Sequence, residues 1–169
     1  MTKKNSPVVV ARILGGIGNQ LFIYAAARRL AIKNKADLVL DHISGFAYDE
    51  VYKRHYQLDH FNIAGRKASS VERLEPASKL RRYIKRYINK RRPYTNRNYI
   101  YQDVNEFDSR LLEVRFSGVL NLEGYWQGVK FFEDVQDTIR QELSIKPPLD
   151  SSNIEMAGRI REVMSVAVH

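Results

Sequence analysis

An apolar run, Val8-Val9-Val10-Ala11-Arg12-Ile13-Leu14, leads straight into the turn Gly15-Gly16-Ile17-Gly18-Asn19-Gln20. No other stretch limits the fold so strongly. The run does not alternate polar and apolar residues, so it reads as a strand buried on both faces. The pattern after the turn predicts a helix from Gln20 to about Asn34, with Asn19 as its cap. The first half of that helix, Leu21-Phe22-Ile23-Tyr24-Ala25-Ala26-Ala27, is apolar nearly all round and must be covered on more than one side. Arg28, Arg29, Lys33 and Lys35 lie towards its C-terminal half, where cations suit the helix dipole. Asp37-Leu38-Val39-Leu40-Asp41 then reads as a second strand. Strand, helix and strand over so short a span form a βαβ unit, expected to be parallel and right-handed.

The rest of the chain extends this α/β pattern. Residues 42–70 read as irregular, and a basic helix is expected over about 71–91, stopping before Arg92-Pro93. Ile100 to Val104 reads as a short strand and Val119-Leu120-Asn121-Leu122 as a firmer one, followed by Glu123-Gly124-Tyr125-Trp126-Gln127. Phe131, Val135, Ile139 and Leu143 form an i, i+4 ladder, which predicts a continuous helix from Val129 to about Leu143. Pro147-Pro148 ends that segment, and Ser151 or Ser152 caps a further helix to about Glu162. Val163 to His169 has a strand pattern. The expectation is a single domain, residues 1–169, with a Rossmann-like, mainly parallel sheet. Such sheets bind ligands beyond the C-terminal ends of their strands. The glycine turn, the 123–127 segment and His169 all fall there.

Composition narrows the function classes. A chain of 169 residues, 44% hydrophobic and 28% charged, can bury a core and is not a disordered tail. It has no cysteine, which excludes disulfides and thiolate metal sites and fits a reducing compartment. No apolar run approaches the roughly 20 residues that span a bilayer. Met1 to Pro7 lacks the apolar core of a signal peptide. A cytoplasmic location is expected, with peripheral contact at the inner membrane as an option. The net charge of +9 is concentrated in Lys79, Arg81, Arg82, Lys85, Arg86, Lys90, Arg91, Arg92 and Arg97, interleaved with Tyr83, Tyr87, Tyr94 and Tyr99. That patch can attract nucleic acid, anionic lipid or a phosphorylated small molecule. The plainer reading is a solvated helix with Leu80, Ile84, Tyr87 and Ile88 facing inward at helical spacing.

The glycine turn carries the most suggestive chemistry. Glycine removes the Cβ atoms that block close approach, and a helix start offers free N–H groups to a phosphate or sugar. A dinucleotide fingerprint needs glycine where Leu21 stands, and no Gly-Lys-Ser/Thr follows to make a P-loop. A plain tight turn and a ligand loop fit the remaining spacing equally well. Trp126, between Tyr125 and Gln127, suits either stacking on a sugar ring or an ordinary place in the core. Asp41, Asp49, Glu50 and Glu123 are candidate acids or bases. His42, His55, His60 and His169 show no i, i+4 pair of the zinc-binding kind, so no metal is assigned.

Four blocks, taken in order, resemble glycosyltransferase family 11, the alpha-1,2-fucosyltransferases. They are Gly15-Gly16-Ile17-Gly18-Asn19-Gln20-Leu21-Phe22 with Tyr24-Ala25, Ala36 to Asp41, Tyr52 to Ile63, and Gly124-Tyr125-Trp126-Gln127 with Lys130-Phe131-Phe132 and Ile139-Arg140. The resemblance implies one Rossmann-type half of a GT-B-like enzyme. It implies transfer of L-fucose from GDP-fucose to the 2-hydroxyl of a galactose-containing glycan, with inversion and without an essential metal or other cofactor. By the same resemblance Gly15, Gly16, Gly18, Asn19, Gln20 and His169 are donor-side residues, and Tyr125, Trp126 and Gln127 acceptor-side ones. Val166-Ala167-Val168-His169 is similar to the start of the family's H-x-R-R-x-D motif, whose arginines and aspartate are not in this chain. The chain therefore reads as an N-terminal fragment, inactive alone, without the C-terminal donor-binding domain and with no assigned catalytic base.

Two rival readings stay open. One is a non-catalytic Rossmann-like nucleotide-binding module. The other is a basic protein that docks RNA or membrane through residues 79–97. Specific nucleic-acid binding is not expected under the enzyme reading.

Overall fold

β1 (Val8–Arg12) lies at the centre of a five-stranded sheet with the order β3-β2-β1-β5-β4. The computed structural model of the chain describes residues 6–104, 106–146 and 150–166. β2 is Asp37–Asp41, β3 Arg66–Lys67, β4 Tyr99–Tyr101 and β5 Val119–Glu123. Every pairing is parallel. Val8 stands level with Asp37 on one side and Val119 on the other, so β1, β2 and β5 end at nearly the same height. The fold is the Rossmann-like α/β arrangement expected from the sequence. β1 leads through its helix to β2 on one side and borders β5 on the other. The crevice where strand order reverses therefore opens between the ends of β1 and β5.

α1 (Ile17–Asn34) covers one face of the sheet. Val9 and Ala11 of β1, Leu38 and Leu40 of β2, and Leu120 and Leu122 of β5 pack with Ile23, Tyr24, Ala27 and Leu30. The apolar first half of α1 is covered on several sides, as its composition demands. Burying each large aliphatic side chain of this core contributes about 1.5–3 kcal/mol. Salt bridges tie the helix to later segments. Arg28 meets Glu142 at 2.7 Å, and Asp134 receives Arg29 at 2.9 Å and Lys33 at 3.0 Å.

The opposite face divides in two. Val8, Val10, Val39 and Ala68 make a small apolar cluster at its start. Towards the strand ends it turns polar, with Arg12, Asp41, Asn121 and Glu123. α2 (Ser78–Lys90) lies over this polar end.

Several element expectations change. α1 starts at Ile17 with Gly16 as N-cap, so Asn19 sits inside the first turn and is not the cap. Part of the 42–70 stretch pairs as β3. The basic helix starts at Ser78, not near 71, because Pro76 disfavours helix at the residue before it. The expected inward face of that helix is reversed: Leu80, Ile84, Tyr87 and Ile88 are exposed, while Arg82 and Asn89 are buried. The sheet beneath is polar and selects donors.

The ladder over 129–143 is broken into 3₁₀ turns at Val129–Phe131 and Glu133–Val135, followed by α3 (Gln136–Glu142). Phe131 is turned onto Trp126 (5.5 Å between centroids) and Phe107 (5.0 Å), while Phe132 leans on Phe22 (6.2 Å). The break falls at Phe132, whose φ of −146° lies outside the helical region.

α4 (Ser151–Glu162) is capped by Asp150 rather than by either serine; its carboxylate accepts from the Asn153 amide at 2.9 Å. Residues 163–166 are not strand; residues 167–169, and Pro147-Pro148, lie outside the described residues. Among the described residues no helix is long and apolar enough to cross a membrane.

Candidate active site

The turn after β1 is shaped by two demands. Gly15 has φ +78°, a conformation that suits glycine. A Cβ there would also lie 2.8 Å from the Asn19 side-chain nitrogen and 3.2 Å from the Tyr125 ring. Gly16 closes the turn and starts the helix, leaving the N–H groups of Ile17, Gly18 and Asn19 without intrahelical acceptors. Gly18 faces open space: a Cβ there would meet nothing within 4 Å. Gln20 is fully buried and acts inside the turn. Its amide donates to the Gly15 carbonyl (3.0 Å) and the His55 carbonyl (2.9 Å), and its oxygen accepts from the Gln57 amide (2.9 Å). Gln20 therefore fastens the turn to the 55–57 segment.

The turn after β5 meets the first one. Gln102 takes the Tyr125 and Trp126 backbone amides on one oxygen, at 2.9 and 2.8 Å. Gly124 passes so close to Gln102 that a Cβ would sit 2.5 Å from it. Tyr125 rests on Gly15, and the Gln127 amide donates to the Asn19 side-chain oxygen at 2.5 Å. Two segments more than a hundred residues apart thus form one rim over the β1/β5 crevice. Trp126 is 1% exposed and set edge-on against Phe131, so its ring belongs to the core. Tyr125 is the more exposed aromatic of the pair and stands at the rim. His169 lies outside the described residues.

Beneath the rim lies a charge cluster whose acids the sequence offered as candidates, while Arg82, Arg86 and Tyr99 entered only as members of the basic patch. Glu123 accepts from Arg12 (2.5 Å), from the Arg86 guanidinium and from the Tyr99 hydroxyl. Asp41 accepts from Arg82 (2.7 Å) and the Ser44 hydroxyl (2.5 Å), while Ser44 accepts from Arg12 (3.1 Å). Burial opposes the ionised form of Glu123, but the Tyr99 hydroxyl and the two arginines outweigh it and hold its carboxyl below the usual range. Tyr99, buried and beside that carboxylate, is pushed up to about 12. Both carboxylates are engaged by cations. Arg12, Arg86 and Glu123 line a cleft of about 550 Å³ with Leu14, Gln102 and Tyr125. Arg12 was missed, and its signal was a lone charge in an apolar strand; Arg82 and Arg86, four apart on one helix, were read as part of the basic patch and not as partners of Asp41 and Glu123.

The other candidates do not join this group. Asp49 accepts from the Tyr52 and Arg54 amides within its own loop, and Glu50 is exposed. His42 stacks edge-on with Tyr56 at 5.8 Å. Among the described residues no three His, Asp or Glu side chains are grouped so as to hold a metal ion.

No family model matches the chain, and no solved structure matches it. Among curated proteins it is similar to the alpha-1,2-colitosyltransferase of Escherichia coli, with 28% identity over 165 residues. The match covers 96% of this chain and 53% of that protein, so the chain spans about half the length of its curated relative. The chain is thus distantly related to a sugar transferase, and its five-stranded parallel sheet is consistent with one half of a GT-B enzyme.

Proposed function

We propose that this chain forms the N-terminal half of an alpha-1,2-glycosyltransferase that moves L-fucose from GDP-fucose to the 2-hydroxyl of a galactoside, with inversion. The observation that carries the reading is the similarity to a sugar transferase over nearly the whole chain. The joined rim of Asn19, Tyr125 and Gln127 over the β1/β5 crevice supports it.

Cleaving the fucosyl–phosphate bond builds negative charge on the departing GDP. Donors already aimed at that charge lower the barrier. In this proposal the open N–H groups at Ile17 and Gly18 and the Asn19 amide supply them from this side of the cleft, with Gly15, Gly16 and Gln20 holding their position. Tyr125 and Gln127 contact the acceptor galactoside. In this proposal the part of the enzyme outside this chain supplies cations to the diphosphate. The acceptor hydroxyl gives up its proton to a general base as the new glycosidic bond forms.

A second donor is favoured by the relative's name: colitose is L-fucose without its 3-hydroxyl. Both donors test the proposal in one experiment. The chain alone, and a chimera in which it replaces the aligned part of the E. coli colitosyltransferase, are incubated with a galactoside and either GDP-fucose or GDP-colitose. The chain alone is expected to give no product, and the chimera an alpha-1,2-linked one. A folded chimera that transfers neither sugar would overturn the proposal. Binding of the chain to NAD or ATP in preference to both donors would favour the non-catalytic nucleotide-binding module.

A further inference from the structure

α2 buries its polar side and shows its apolar side. Arg82 is 7% exposed and bonded to Asp41 at 2.7 Å, and Asn89 accepts from the Asn98 and Tyr99 amides. Leu80, Tyr83, Ile84, Tyr87 and Ile88 form a continuous outward stripe at helical spacing, with Leu80 59% and Ile84 45% exposed. Among the described residues nothing covers it. Lys79, Arg81, Lys85, Lys90, Arg91 and Arg92 border the stripe, and no acidic residue occurs between Glu75 and Asp103. Lys79 also sits 3.3 Å from the centre of the exposed Tyr48 ring, extending the surface past the helix start.

We propose that α2 is a membrane-docking helix that lies in the headgroup region of an anionic bilayer. An apolar stripe rimmed by cations matches the two layers of that interface, acyl chain below and phosphate at the sides. Charge complementarity selects this occupant. A second copy of the chain would bring two cationic rims together. A nucleic acid would satisfy the rims but leave Leu80, Ile84 and Ile88 facing a phosphate backbone. This inference does not depend on the sugar-transfer reading.

The test is co-sedimentation of the whole 169-residue chain with vesicles. Binding is expected to vesicles of phosphatidylcholine with about a third phosphatidylglycerol, and at least about tenfold weaker binding to pure phosphatidylcholine. The triple variant Leu80→Asp/Ile84→Asp/Ile88→Asp is expected to lose at least about tenfold in vesicle binding with an unchanged circular dichroism spectrum. Trp126 is the only tryptophan and is buried, so Ile84→Trp adds a reporter whose emission should shift to the blue on anionic vesicles alone. No binding to anionic vesicles would overturn the proposal. So would binding unaffected by the triple variant, or tighter binding to a homopolymeric RNA that the triple variant retains.

Discussion

Asn19 and Gly18 are neighbours with opposite structural prospects. The Asn19 side chain reaches Gln127 across the crevice on the exposed rim, so its loss should cost less than about 1 kcal/mol of stability. In the chimera, Asn19→Ala is expected to lower kcat at least about tenfold, because a donor aimed at developing charge acts mainly in the transition state. An unchanged kcat would remove Asn19 from the site. Gly18 lies in the first turn of α1 beside open space, so Gly18→Ala should raise stability by about 0.5–1 kcal/mol through helix propensity. If a donor approaches there, the same variant binds it more weakly. Gain of stability with loss of donor affinity separates a ligand loop from a plain turn, the two options that spacing left equal. Deeper in, Glu123→Gln leaves the half-buried Arg12 and Arg86 beside a neutral amide in place of their carboxylate. A loss of about 1–2 kcal/mol is expected in urea unfolding, less than for a fully buried pair because water still reaches both guanidinium groups.

Elements were legible where their signal was local. β1, β2, β5 and the body of α1 appear where apolar runs and turn residues put them, because a strand, a glycine turn and a helix start are each encoded within a few residues. α2 shows the limit. Its period was visible, but the same period fits either face inward, and the choice was set by the polar strand ends at Asp41 and Glu123. The orientation has a direct check. Leu80→Asp should change unfolding free energy by no more than about 0.5 kcal/mol, as for other exposed sites. Arg82→Leu should cost about 3 kcal/mol by leaving Asp41 without its guanidinium. The reverse order of effects would place the apolar stripe inside. The helix expected over 129–143 failed for a related reason: Phe131 and Phe132 serve different parts of the core, and packing overrode the ladder.

For the molecule as a whole, several bonds between α1 and later segments depend on ionised carboxylates. Asp134, held by Arg29 and Lys33, is lowered to about 2. A depressed carboxyl contributes stability above its unfolded value near 4, and that contribution disappears as pH falls through the folded value. Unfolding midpoints should therefore hold steady from neutral pH to about 4 and decline towards 2, with Asp134→Asn giving a flatter decline. A variant that declines as steeply as the parent would show that this pair does not govern acid stability. The sequence alone determined the βαβ start, the parallel α/β class and the placing of the glycine turn at a strand end, since these follow from short-range pattern and chain handedness. Only the tertiary structure decided that Asn19 meets Gln127 across 108 residues, that Trp126 belongs to the core, and that α2 turns its arginines inward. Those outcomes rest on charges and rings far apart in the chain, whose burial must be satisfied together.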